Sequence, residues 1–232
     1  MGLNLESLEL AATIRSEYPK VKLEIIDCNV KSYLKKTYGN EVNKALLTYY
    51  KNRGIDFKTG TGYASFQSDP KNEKHVRALK TKDGKLHEAD AFVMFPNLYM
   101  ANTDFIDREG VWEDSRTTTE GKLWCESDST IGNKVLFGAG SCVGHTDTIT
   151  NQRYLFSSHF REAINTSKIA AFNILGLAIP LYTVPFGYTR HFTKSLQYVG
   201  NIQPYDDVKI MGDLEKLDFI ALYLRKGNII SA

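Results

Sequence analysis

Two short stretches and a few isolated side chains carry residue types that could do chemistry. The chain opens "MGLNLESLELA", where Gly2, the small residues Asn4 and Ser7 and an apolar face beginning at Leu8 have the pattern of the tail of a nucleotide-binding turn. Such a turn aims backbone amides and the positive end of a helix at a pyrophosphate. The competing reading is a helix that only packs, because Asn4 puts a side chain where a phosphate would come. Asp27 closes the next apolar segment, "VKLEIID", twenty residues after Ser7. That spacing suits an acid bonded to an adenosine 2′-hydroxyl, which favours NADH over NADPH; the alternative is a solvated acid at a strand end. "LFGAGSCVGH" (136–145) holds Ser141 between small residues, but it lacks the second glycine of a G-x-S-x-G elbow. His145 and Asp147 lie two apart with no third ligand at metal spacing. Cys28, Cys125 and Cys142 are far apart, in no C-x-x-C or zinc pattern, so they are expected to be buried or inert thiols of a reducing compartment.

The elements that must position these groups follow from periodicity. With 232 residues, 42% hydrophobic, and a formal charge of +2, the chain can bury a sizeable core and is expected to form more than one compact unit. Its Lys and Arg residues are scattered, which gives no nucleic-acid stripe and no anionic-membrane patch. The longest apolar stretch, "IAAFNILGLAIP", is too short to span a bilayer. The N-terminus reads as neither a secretory nor a mitochondrial presequence, and Glu6 stands where a myristoylation signal wants Ser or Thr. The sequon "NTS" at Asn165 sits in a helical pattern and is read as chance.

Residues 5–17 form an amphipathic helix, 21–27 a strand, 40–54 a second helix stopped by Gly54, and "IDFKTG" a further strand. This is the rhythm of a helix-covered α/β sheet. "GYASFQ", "HVRALKTK" and "KLHEADAFVMF" then read as a meander, turned at Asp83-Gly84, with "AFVMF" buried on both faces. "KLWC" and "KVLFGAG" are expected strands, and a long helix is expected from about Gln152 to Leu175. The last fifty residues read as antiparallel strands, the final turn at Lys226-Gly227.

The order of these pieces resembles the two-dinucleotide-binding flavoproteins of the pyridine nucleotide-disulfide oxidoreductase superfamily, in the branch of apoptosis-inducing factor and ferredoxin reductases. "ESLELA" is similar to the helix start after that family's NAD-binding turn, and "YGNEVNKALLTYYKNRGIDFKTG" to its next helix and strand. "LKTKDGKLHEADAFVM" resembles the hairpin leading back to the flavin domain, and "HFREAINTSKIAAFNILG" the long helix beginning His-Trp-x-x-Ala. "YTVPFGYTRHFTKSLQYVG" and "GDLEKLDFIALYLRKGNIISA" resemble the C-terminal interface domain.

The resemblance implies an α/β fold with an incomplete Rossmann-type NAD domain and its meander at 1–95. It implies the second segment of a FAD domain at 96–180 and a truncated α+β interface domain at 181–232. It places Gly2, Asn4 and Ser7 at the glycines of G-x-G-x-x-G, and Phe95 and Asn97 at the glycines of a turn near the nicotinamide. Gly140 is kept in the second flavin motif, but Ser141 replaces its aspartate, and loss of a charge-assisted bond weakens FAD by tens-fold or more at roughly 1.5–3 kcal/mol. His159 matches the histidine beside the flavin, with Phe160 for its tryptophan and Thr166-Ser167 for Gln-Gly. Phe186 and Tyr188 match aromatic positions flanking the flavin ring, but here they are expected to be core. An N-terminal FAD-binding unit and the first NAD-domain strand have no counterpart here.

The cofactor-binding candidates are therefore Gly2, Ser7, Asp27, Gly140, Ser141 and His159, with FAD and NADH held weakly or not at all and no catalytic or metal-ligating residue assigned. The leading expectation is a non-catalytic, reductase-like accessory subunit of a larger complex, mitochondrial or otherwise cytoplasmic. Other protein chains would cover its incomplete sheets. The alternative is part of an active NADH oxidoreductase whose FAD-binding half comes from another chain or lies beyond this sequence.

Overall fold

The computed structural model of the chain describes residues 2–27, 33–95, 101–103, 105–106, 121–132, 136–146, 153–155, 159–200, 202 and 204–232. They divide into two compact units. The first comprises Met1–Asn97, Thr189–Leu196 and Tyr205–Ile229; the second Leu98–Tyr188, Gln197–Pro204 and Ile230–Ala232.

The first unit opens with α1 (Leu5–Glu17), β1 (Leu23–Asp27), α2 (Tyr33–Lys51) and β2 (Ile55–Thr59). β1 and β2 pair in parallel, from Leu23 opposite Ile55 to Asp27 opposite Thr59, with α2 as the crossover. Leu34, Tyr38, Val42, Leu46 and Tyr50 recur every four residues and are all buried, which fixes the inward face of α2. The helix extends further toward its N-terminus than the sequence suggests, across a break at Gly39 (φ +82°, ψ 172°) that only glycine adopts readily. Gly54 (φ +74°) follows its end as expected, its amide bonded to the Lys51 carbonyl at 2.9 Å.

The meander is β3 (Tyr63–Asp69), β4 (Asn72–Thr81) and β5 (Leu86–Glu88). At the Asp83-Gly84 turn the Asp83 carboxylate accepts the Thr81 hydroxyl, which with Lys85 holds its pKa down at about 2. "AFVMF" does not continue β5. Residues 91–95 belong to no strand, and Val93 and Met94 are exposed instead of doubly buried. A short continuous apolar run does not by itself specify a strand.

The second unit contains β6 (Leu123–Cys125), β7 (Thr130–Ile131), β8 (Leu136–Phe137), β9 (Val143–Thr146) and β10 (Arg153–Leu155). β9 lies between β10 and β6, parallel to β6 and antiparallel to β10. Leu123, Cys125, Ile131 and Val143 form the core here. A Cβ at Gly138 would stand 2.7 Å from Cys125 Sγ, Ile131 Cδ1 and Val143 Cγ1, so no larger residue fits. Burial pushes the Cys125 thiol up to about 12, whereas Cys142, expected to be buried or inert, is exposed.

α3 (Phe160–Ile174) is shorter than the expected helix from Gln152. Arg153–Leu155 instead pairs with Gly144–Thr146, and His159 caps the helix start. Antiparallel strands follow: β11 (Phe186–His191) with β12 (Lys194–Val199), then β13 (Asp207–Asp213), β14 (Asp218–Arg225) and β15 (Asn228–Ser231) in one sheet. Lys226 and Gly227 both take positive φ, as a two-residue hairpin turn requires.

Candidate functional site

Gly2 is fixed just before α1. Its amide donates to the Ile26 carbonyl of β1 at 2.8 Å, and a Cβ on it (φ +97°) would lie 1.8 Å from the Phe95 carbonyl oxygen. Two residues on, Asn4 caps α1. Its Oδ1 accepts the Ser7 amide at 2.8 Å, its own amide donates to Ser7 Oγ at 3.0 Å, and Ser7 Oγ donates to the Asn4 carbonyl at 2.9 Å. This is a reciprocal capping box with both side chains buried. Asp27, at the end of β1, is fully buried and so is not a solvated strand-end acid. Phe95 is half-buried, and Asn97 lies outside the described residues.

The second unit carries the other group. Gly140 (φ +83°) begins the 3₁₀ turn Gly140–Cys142, and open space surrounds the point where its Cβ would be. Its amide donates to Thr166 Oγ1 at 2.9 Å, and that hydroxyl donates to the Glu162 carbonyl at 2.8 Å. Ser141 is exposed. His159 stands before α3 in an aromatic cluster, with its ring centroid 4.6 Å from Phe160 and 5.3 Å from Tyr188. Its Nδ1 faces the Arg161 amide at 3.3 Å and its Nε2 the Tyr188 amide at 3.4 Å. A neutral imidazole has one lone pair, so it accepts one of these at a time. Phe160 and Tyr188 keep 57% and 43% of their surface exposed.

Glu162 is the residue that sequence reasoning passed over. It is 2% exposed, and its Oε1 accepts the Phe186 amide at 3.1 Å while Oε2 has no hydrogen-bond partner. Desolvation raises its pKa, against smaller opposing effects of the Phe186 amide and Arg161. Glu162, Thr166, Ala170 and Asn173 are the buried residues of α3, while Phe160, Ile164, Phe172 and Ile174 are exposed. The helix turns its polar face inward. A sequence signal existed in the i, i+4, i+8, i+11 spacing of the four inward residues, but hydrophobicity argues for the opposite face. Among the described residues no cluster of His, Cys, Asp or Glu could hold a metal ion, and no helix is long and apolar enough to cross a membrane.

No protein-family model matches the chain. Apoptosis-inducing factor 3 of Mus musculus is 27% identical over all 232 residues, which cover 36% of its length. The human protein of the same name matches to the same extent. The ferredoxin reductase subunit of a dehydrodivanillate O-demethylase from Sphingobium is 20% identical over 97% of the chain and 52% of its own length. The chain is homologous to the apoptosis-inducing factor and ferredoxin reductase-like flavoproteins. A ferredoxin reductase from Rhodopseudomonas palustris has the same fold, with a TM-score of 0.76 at 17% identity, over 99% of this chain and 54% of that one. The mixed α/β architecture with several small sheets is thus that of FAD- and NAD-dependent oxidoreductases. The reductase-like chain spans little more than a third of the length of its apoptosis-inducing factor relatives.

Against the two cofactors of these relatives the residues present divide. The exposed rings of Phe160 and Tyr188 offer apolar surface for a flavin but meet each other edge-to-face at 85°, so they form no parallel slot, and open space lies where a Gly140 Cβ would be. Ser141 offers a hydroxyl but no carboxylate, and the Gly140 amide is already given to Thr166. On the nicotinamide side the fit is worse, because the capping box uses two of the groups that a pyrophosphate would meet.

Proposed function

We propose that the reductase-like chain serves as a non-catalytic accessory subunit of a larger mitochondrial assembly, contributing a protein-binding surface on an oxidoreductase fold. One observation carries this reading: α3 buries Glu162, Thr166 and Asn173 and exposes Phe160 and Ile164, with Leu175 exposed at its C-cap. An apolar helix face in water is unfavourable by about 25 cal/mol per Å², and a protein partner removes that cost. Replacement of the flavin aspartate by Ser141 and capture of the Gly140 amide by Thr166 support the loss of catalysis. The test is to purify the tagged chain from its own cells and measure flavin absorption and sedimentation together. The expected result is a colourless assembly larger than one chain, from which Ile164→Glu releases a monomer. A stoichiometric flavin bleached by NADH overturns the reading.

The aromatic cluster at His159 favours a second reading, an active reductase whose FAD-binding half comes from elsewhere. FAD, when bound, supplies hydride acceptance from NADH and electron delivery onward. Tyr188 would lie against its ring, with His159 and Phe160 beside it. The same absorption measurement separates the two readings.

A further inference from the structure

A cavity of about 630 Å³ lies in the first unit, between the first half of α2 and β13. That volume is within the range of small-molecule sites. None of the residues that the family resemblance assigns to either cofactor lines it. Its two walls differ in chemistry. Lys35, Lys36 and Glu41 stand exposed on the α2 side and set two positive charges against one negative. Tyr205, Val208 and Ile210 form the opposite wall, and all three are half-buried. Val208 and Ile210 reach it together because they lie two apart on β13 and so share a face of the sheet. The gap is built into the packing. The Tyr223 hydroxyl of β14 donates to the Tyr38 carbonyl at 3.0 Å, and the Tyr223 ring meets Tyr205 edge-on with centroids 5.1 Å apart. These contacts pin α2 to the sheet beside the cavity. Gly39 breaks the helix at the cavity wall, where a Cβ would crowd the Tyr205 hydroxyl at 3.3 Å.

We propose that this cavity binds a small organic monoanion with an apolar body, its carboxylate at Lys35 and Lys36 and its hydrocarbon part against Tyr205, Val208 and Ile210. The physical reason is the match between the two walls and the two ends of such a molecule. An apolar body sheds water against the Val208 and Ile210 side chains and the Tyr205 ring, which supplies affinity. The two ammonium groups fix the orientation by charge-assisted hydrogen bonds to the carboxylate. Glu41 on the same wall leaves one net positive charge there. That balance suits a single negative charge and opposes a dianion such as a phosphate monoester.

The site stands apart from the accessory-subunit reading, since flavin content tests that reading and ligand uptake tests this one. The experiment is equilibrium dialysis of naphthoate, its neutral isostere naphthamide and naphthyl phosphate against the full 232-residue chain. One equivalent of naphthoate should bind saturably, with naphthamide weaker by about tenfold and the phosphate also weaker. Lys35→Gln combined with Lys36→Gln should weaken naphthoate by a similar factor. Both side chains are exposed, so that variant should fold, with circular dichroism as the control. Ile164→Glu, on the exposed face of α3 in the second unit, should leave naphthoate binding unchanged. Absence of saturable uptake overturns the proposal, as does naphthamide or the phosphate binding as tightly as naphthoate. Undiminished binding by the folded double lysine variant also overturns it, and so does a loss caused by Ile164→Glu.

Discussion

His191 in β11 is fully enclosed, and its hydrogen bonds fix its tautomer. Tyr50 Oη donates its one proton to the Leu8 carbonyl at 2.9 Å, so the 2.6 Å contact to His191 Nδ1 needs the imidazole Nδ1–H to donate to the phenol oxygen. Nε2 then accepts the Thr189 hydroxyl at 2.8 Å. Burial lowers the His191 pKa from 6.5 to about 4, and burial does the same to His145 in β9, there opposed by a backbone hydrogen bond at Glu126. Both rings are neutral when folded and take up protons when unfolded, so the unfolded state binds more protons between those values. Their contribution is present above pH 6.5 and is lost as pH falls toward about 4. Denaturant melts across that interval should show falling stability on acidification. His191→Phe should make the slope shallower by about 1.4 kcal/mol per pH unit; an unchanged slope would mean that His191 titrates normally in the folded chain.

α3 depends on the acid it buries. The Glu162 carboxyl takes the Phe186 amide at the start of β11 and so ties helix to strand within the second unit. Glu162→Ala would leave that amide without its acceptor and should cost about 1–3 kcal/mol. Glu162→Gln retains an acceptor and should cost far less. The pH dependence of this pair has the opposite sign to that of the histidines. With its pKa raised from 4.5, Glu162 favours the folded state fully only below that value, and the contribution is lost as pH rises through the folded pKa. The stability of Glu162→Gln relative to the parent should therefore improve with rising pH, which melts at about pH 5 and about pH 8 would read. A constant difference would show that the carboxyl is already ionised at the lower pH.

An outward apolar face affects the behaviour of the whole molecule. Leu175 is 77% exposed at the end of α3, and Ile164 and Phe160 share its side of the helix. Such a surface drives association of the isolated chain. Leu175→Glu should lower concentration-dependent light scattering while leaving the unfolding free energy within about 0.5 kcal/mol of the parent, because the side chain has few contacts to lose. Unchanged scattering would direct attention to the exposed apolar strand residues, such as Met211 and Ile220.

Local rules written into the residues determined much of this protein. The amphipathic helix at 5–17, the strand ending at Asp27, Gly54 after α2, the Asp83-Gly84 and Lys226-Gly227 turns and the terminal strands all follow from periodicity and turn chemistry. The order of those pieces carried the family resemblance as well. Tertiary structure decided what periodicity cannot see. Residues 91–95 fall outside any strand, 153–155 pair with β9 and so begin no helix, and α3 faces its polar side inward. The candidate site divides in the same way. Gly2, Ser7, Gly140 and His159 were legible as residue types, but Asn4 closing its own helix end and Thr166 holding the Gly140 amide were not. Those contacts depend on which donors and acceptors meet in three dimensions, and a hydrogen bond between residues 26 apart leaves no period in a sequence.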